Sequence, residues 1–253
     1  MRVVAYFAVF SLALFSCVNK NKPFETPNIT AQEAMEKAHA KAGGDFWKNP
    51  KSLTLKGYAN FYQGDDTLQH EIHNMWRVYA SKKEAAHNAS GKVRIESIRD
   101  GEPKILLTYD GYNTYDLDGK KEKSEADNMW SSAFGYGAIR HTLDEGFTIS
   151  ISGEGMVKHQ NTVIIKVVDP NGEETFFDLT LGDYRIVKVA FDTPRGWHHR
   201  LYSEFFSKKE YSWLQPGLVE LFYNDKKTNE VIWEDFEVNK ILPDSLFVLT
   251  YDQ

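Results

Sequence analysis

From residue 52 onward the chain alternates. In Leu53-Thr54-Leu55-Lys56-Gly57-Tyr58-Ala59-Asn60-Phe61, apolar or small residues hold every odd position and polar residues or tyrosine the even ones. A period of two is the mark of a strand with one face toward a core. Gly64-Asp65-Asp66-Thr67 then makes a turn, and the next run puts Leu68, Ile72, Trp76 and Val78 on one face. The two runs form a long hairpin. Shorter runs at 92–98, 104–109 and 112–117 are each closed by Asp-Gly, at 100–101, 110–111 and 118–119. Glycine accepts the positive φ of a tight hairpin turn, so three successive turns share one chemistry. Further β runs occupy 147–153, 162–168, 174–181, 185–191, 198–206, 218–224 and 231–238, with the turn Asp169-Pro170-Asn171-Gly172 among them.

Two segments follow a helical period instead. Thr30-Ala31-Gln32-Glu33 has capping-box spacing, Met35, Ala38 and Ala42 share a face, and Gly43-Gly44 ends the run. Between Ser124 and Leu143, Met129, Trp130, Ala133 and Phe134 cluster on one face before Gly135 and Gly137 interrupt. The reading is a helix, a glycine break and a shorter helix. Residues 242–247, closing the chain, read as one helical turn.

Connections this short exclude parallel crossovers. The expected fold is mainly β (α+β): a large curved antiparallel sheet, or half-open β-barrel, of about ten or eleven strands, with helices over the concave face. The run Val163, Ile164, Ile165, Val167, Val168 is apolar on both faces, as is Ile186, Val187, Val189, Ala190, Phe191. Both faces of such strands need cover. Aromatic residues are abundant, and Phe61, Trp76, Tyr109, Trp130, Phe134 and Ile165 are the candidate walls of an apolar ligand cavity between sheet and helix. A core filled by these same side chains is the simpler alternative.

The N-terminus changes the picture. Residues 3–15 are almost entirely apolar and follow Arg2. Such a run is shorter than the ~20 residues of a membrane-spanning helix and reads as a secretory signal. It ends at Leu14-Phe15-Ser16-Cys17, and Cys17 is the single cysteine of the chain. The stretch resembles the lipobox of bacterial lipoproteins, which implies lipidation of Cys17 as the first mature residue. No internal disulfide is then possible. The expected organisation is a signal peptide at 1–16, a lipidated cysteine and polar, Pro-containing tether at 17–29, and a single β domain at 30–253. Without the signal, 29 basic residues face 36 acidic ones, which disfavours nucleic acid as a partner.

Chemistry-bearing motifs are sparse. His70 and His73 lie three apart on one strand, so they are expected on opposite faces. His198 and His199 diverge in the same way. There is no HExxH and no GxSxG, Gly135-Tyr136-Gly137 lacks the third glycine of a dinucleotide loop, and Asp116–Gly119 lacks calcium-loop spacing. No catalytic residue, metal or cofactor is assigned, and the protein is read as not an enzyme.

The order of elements is itself informative. A capped helix runs into Gly43-Gly44 and Trp47, then a strand containing Gly57. The hairpin at 109–119 precedes the helical insertion. Pro216-Gly217-Leu218 leads into the last strands, and residues 237–247 close the domain. Over residues 28–250 this resembles the lipoprotein-localisation-factor (LolA/LolB-like) superfamily. The resemblance implies a half-open barrel with a hydrophobic cavity for acyl chains, and a lid made by the Trp130–Phe134 helix. Phe134-Gly135-Tyr136 is the nearest counterpart of the membrane-inserting loop of the receptor branch. The function then expected is a membrane-anchored periplasmic lipoprotein that binds a lipid or acyl-bearing ligand. The anchor is expected in the outer membrane, facing the periplasm, because Val18-Asn19 lacks the aspartate of an inner-membrane retention signal. An envelope interaction or sensor module with a filled core, binding a protein partner, is the alternative.

Overall fold

The computed structural model describes residues 28–80, 91–134 and 139–249. Cys17, Gly135, Tyr136 and Gly137 fall outside these, as does the side chain of Phe134. The chain opens with α1 (Ala31–Ala42) and α2 (Gly44–Lys48). Four strands follow, β1 (Ser52–Gln63), β2 (Asp66–Val78), β3 (Lys92–Arg99) and β4 (Glu102–Tyr109). The short β5 (Thr114–Asp116) and β6 (Gly119–Lys120) lead into α3 (Lys123–Phe134). The second half holds β7 (Thr148–Val157), β8 (Gln160–Val168), β9 (Glu174–Thr180) and β10 (Ile186–Thr193). It ends with β11 (Gly196–Ser203), β12 (Leu218–Tyr223) and β13 (Lys226–Val238), then a 3₁₀ turn at Asp244–Leu246. The pattern alone suggests ten or eleven strands. The thirteen found among the described residues include β5, which lies inside the run read at 112–117, and β6, which at two residues is too short for a periodicity to register.

All strands join one antiparallel sheet in the order β6-β5-β4-β3-β2-β1-β13-β12-β11-β10-β9-β8-β7. The first and last long strands therefore pair at its centre, and β6 and β7 are its edges. They do not pair, so the barrel is half open. The chain between those two edges is the segment that contains α3, which makes α3 the bridge across the open side.

Local chemistry sets the elements as the sequence suggests. The Thr30 hydroxyl accepts from the Glu33 amide at 3.1 Å, and the Glu33 carboxylate accepts from the Thr30 amide at 2.9 Å. Asp169 Oδ1 accepts from the amides of Asn171 and Glu173 at 2.8 and 2.9 Å, closing the β8–β9 turn. Asp100 and Gly101 both have positive φ, 57° and 74°, as a two-residue hairpin turn between twisted strands requires.

The sheet curls at an irregularity beside Gly57, where the β1–β13 register shifts. A Cβ at Gly57 would stand 1.9 Å from the Ile232 carbonyl oxygen. Only glycine permits this approach. Opposite it, β2 carries one extra residue, because Gly57 pairs with His73 and Ala59 with His70. This bulge resets the alternation. His70 and His73 therefore share the inner face instead of diverging. His70 packs on Phe61 with ring centroids 4.4 Å apart, and His73 on Trp233 at 5.2 Å.

The inward residues of β2 are thus His70, His73, Met75 and Arg77, all buried. Ile72 and Trp76 point outward. Part of the outer face is covered too: Arg94, beside the Trp76 ring, donates to the Leu246 carbonyl at 3.2 Å, and Phe247 is fully buried. Apolar character alone did not tell the faces apart because both carry apolar contacts.

Candidate functional site

The concave face is only partly filled. At the β7–β10 end, α1 packs against β7, and Lys41 ties it to Asp183 in the β9–β10 turn at 3.0 Å. Ala34, Met35 and Ala38 of the helix and Val163, Ile165, Phe177 and Leu179 of the sheet are all closed from solvent there. Toward the middle of the sheet a cavity of about 670 Å³ remains, within the range typical of small-molecule sites. Leu55, Met75, Ile95, Leu107, Leu221 and Val231 supply much of its apolar wall. The helix side is lined by two small residues of α1, Ala38 and Ala42, which leave the hollow open where larger side chains would fill it.

Met129 and Glu125, one turn apart on α3, face the cavity. The neighbouring stripe of α3, Ala126 and Trp130, turns to a smaller recess beside Tyr109 and Thr114. Trp130 is buried there, its indole Nε1 donating to Thr114 Oγ1 at 2.7 Å. The helix is therefore held to the β4–β5 edge by one face while the next face roofs the cavity.

After α3 the chain is latched to α1 and α2. His39 donates from Nε2 to the Ile139 carbonyl at 2.7 Å. Burial pulls its pKa down to about 4, so the ring is neutral at pH 7. Arg140 donates from Nε to the Trp47 carbonyl at 2.9 Å. Its guanidinium lies 4.4 Å from the Trp47 ring, 5.1 Å from Trp213 and 5.2 Å from Tyr79. Three aromatic faces thus favour the charge electrostatically while their edges add to the apolar wall. His73 lines the cavity with its Nδ1 against the Ser97 hydroxyl, and burial holds its pKa near 4 as well.

The expected wall residues are distributed as follows. Phe61 lines the cavity. Trp76 lies on the opposite face, because it alternates with the inward Met75. Tyr109 and Trp130 meet edge-on at 6.2 Å in the smaller recess. Ile165 is fully buried in the half covered by α1 and lines no part of the cavity. The lining residues not anticipated include Met75, Trp233, Arg140 and Arg200. His198, Arg200 and Tyr202 alternate along the inner face of β11, but polar residues in an inward register carry no sign of which face they take. Among the described residues no three His, Cys, Asp or Glu side chains converge on a metal position.

A curved antiparallel sheet left open along one seam, bridged by a helix over an apolar hollow, is the LolA-like half-barrel. Solved structures bear this out at the level of fold. A LolA superfamily protein from Nitrosomonas europaea superposes with a TM-score of 0.53 at 11% identity, over 87% of this chain and 98% of that one. A DUF1329 family protein from Desulfovibrio piger gives 0.52 at 10% identity, over 86% and 97%. A domain assigned to outer membrane lipoprotein sorting from Vibrio parahaemolyticus gives 0.51 at 11% identity, over the same shares. No protein-family model and no curated protein sequence matches the chain.

Proposed function

We propose that this chain is a periplasmic lipoprotein, anchored through Cys17, that sequesters a lipid or other acyl-bearing ligand in the half-barrel. Residues 1–16 act as the export signal, 17–29 as anchor and tether, and 30–253 as the binding domain. The observation that carries the reading is the apolar cavity of about 670 Å³ under α3. A sensor module with a filled core would leave no such volume. The fold neighbours include one assigned to lipoprotein sorting, which supports the same ligand class.

No covalent step is required. Each methylene moved from water into the hollow contributes ~0.8 kcal/mol. A chain of about a dozen methylenes therefore gains ~10 kcal/mol before the ordering costs of binding. Admission of the ligand requires α3 to move from the mouth, and the bond from Trp130 to Thr114 sets what that motion costs.

Native mass spectrometry of residues 18–253, prepared without detergent and then incubated with phospholipid vesicles, tests the carrier role. The expected result is a bound mass that dissociates as an acyl lipid. A clean apo mass after incubation overturns it. The anchor is tested separately: Cys17→Ser should release the protein from membranes into the soluble envelope fraction. Retention of the variant on membranes would remove lipidation from the account.

A further inference from the structure

The cavity wall is not uniformly apolar. Lys41, Arg140, Arg185, Arg195 and Arg200 line it, with Glu125 as the carboxylate of that lining, in a chain whose formal net charge is −6. At the helix-covered end the charges are engaged: Lys41 and Arg185 share Asp183, at 3.0 and 2.9 Å, and Arg140 sits in its aromatic cage. Arg195 and Arg200 belong to the other end, where the hairpin turns gather. Arg195 lies in the β10–β11 turn with its guanidinium 4.1 Å from the Tyr223 ring centroid. Tyr223 pairs with His198 across β11 and β12, and Arg200 stands opposite Leu221.

His198 organises this end. Its Nδ1 lies 2.8 Å from the Phe222 carbonyl, so Nδ1 carries the proton and Nε2 is an acceptor. Arg200 Nε donates to that Nε2 at 2.8 Å. Burial, with Arg200 second, holds the His198 pKa far below its ordinary value, and the ring stays neutral. Arg200 is thus oriented by a neutral imidazole, and Arg195 rests on an aromatic face, a contact that cancels no charge. Among the described residues no carboxylate lies within ion-pair distance of Arg195.

We propose that this turn end of the hollow seats the anionic head group of the bound amphiphile, with Arg195 and Arg200 clasping its carboxylate or phosphate oxygens while the acyl chain runs along the apolar wall. The assignment rests on the reading of the cavity as an acyl-binding site. Guanidinium forks match the oxygens of carboxylate and phosphate, whereas an apolar wall alone accepts neutral and anionic lipids alike.

The test uses the mature chain, residues 17–253 with Cys17→Ser, in native mass spectrometry against paired lipids. One arm offers palmitate and monopalmitoylglycerol in equal amounts, and the other phosphatidylglycerol and phosphatidylcholine of matched chains. The expected result is capture of the anionic member in about tenfold excess in at least one arm. The arm in which it occurs separates a carboxylate from a phosphate. Arg195→Gln, at an exposed turn position that leaves the fold intact, should bring the ratio close to one without weakening capture of the neutral lipid. Arg200→Gln should do the same, with thermal unfolding followed in parallel. Equal capture of both lipids by the parent chain, or a preference that survives both variants, overturns the head-group assignment and leaves the carrier reading standing. Capture of neither lipid in either arm instead overturns the carrier reading, and this assignment with it.

Discussion

His39 and His73 make the clearest statement at the scale of single residues. Both are buried, both are neutral at pH 7, and both have pKa values pulled by burial from 6.5 to about 4. The sign follows from which state binds protons. Between pH 6.5 and 4 the unfolded chain protonates these rings and the native chain does not, so stability is full above pH 6.5 and declines as pH falls toward 4. Each contributes up to about 3 kcal/mol to that loss. Carboxylates with depressed pKa values, such as Asp183 between Lys41 and Arg185, act in a lower window, below their ordinary titration range. Urea unfolding at pH 7.5 and 4.5 should therefore show a marked drop, and His39→Gln should make the slope shallower by about one proton. An unchanged slope would place the sensitivity on other groups. Cys17 belongs to this scale as well. Its reading as an anchor comes from its position after an apolar run and rests on the Cys17→Ser experiment, and Arg200 was not legible as a cavity residue. Its placement depends on the register of β11 against β12, and local sequence does not encode that register.

Elements were more legible than their orientation. The capping box of α1, the Asp-Gly turns and the run of hairpins follow from local preferences, so the sequence displays them. The facing of β2 does not follow, for two physical reasons. A bulge opposite Gly57 puts His70 and His73 on one side, and the outer face is partly buried under the C-terminal segment, so Trp76 has apolar contacts away from the cavity. The same irregularity yields a prediction. Gly57→Val places side-chain carbon where the Ile232 carbonyl stands, and overpacking of this kind costs several kcal/mol. The variant should fail to give a cooperative unfolding transition, while Gly182→Ala, whose Cβ meets nothing within 4 Å and whose backbone is not in the left-handed region, should retain one. Folding of both variants alike would show that the curl does not depend on Gly57. For α3 the expectation is milder. Thr114→Val removes the hydroxyl that accepts from Trp130, a loss of ~1 kcal/mol. Hydrogen exchange of α3 amides should accelerate about fivefold while the β8–β10 amides keep their protection. Uniform acceleration would mean that α3 opens only with the whole fold.

At the scale of the molecule, the strand order explains why the hollow exists. Central pairing of β1 with β13 leaves β6 and β7 as unpaired edges, and the connection between them crosses the open side as α3. α1 fills one half of the concavity, and small residues on its cavity side leave the other half unfilled. A hollow of this kind weakens the core through lost dispersion contacts, so it is consistent with a ligand that replaces them. Filling it provides the corresponding test. Leu221→Trp and Val231→Phe each project added volume into existing space, so the usual penalty for a larger core residue is small. Both variants should unfold at or slightly above the parent temperature and lose most of their lipid capture. If they capture lipid as well as the parent, the acyl chain lies outside the half-barrel, and the convex face becomes the place to look. Loss of both folding and capture in one variant is resolved by the other, since Leu221 and Val231 belong to different strands and enter the cavity from β12 and β13.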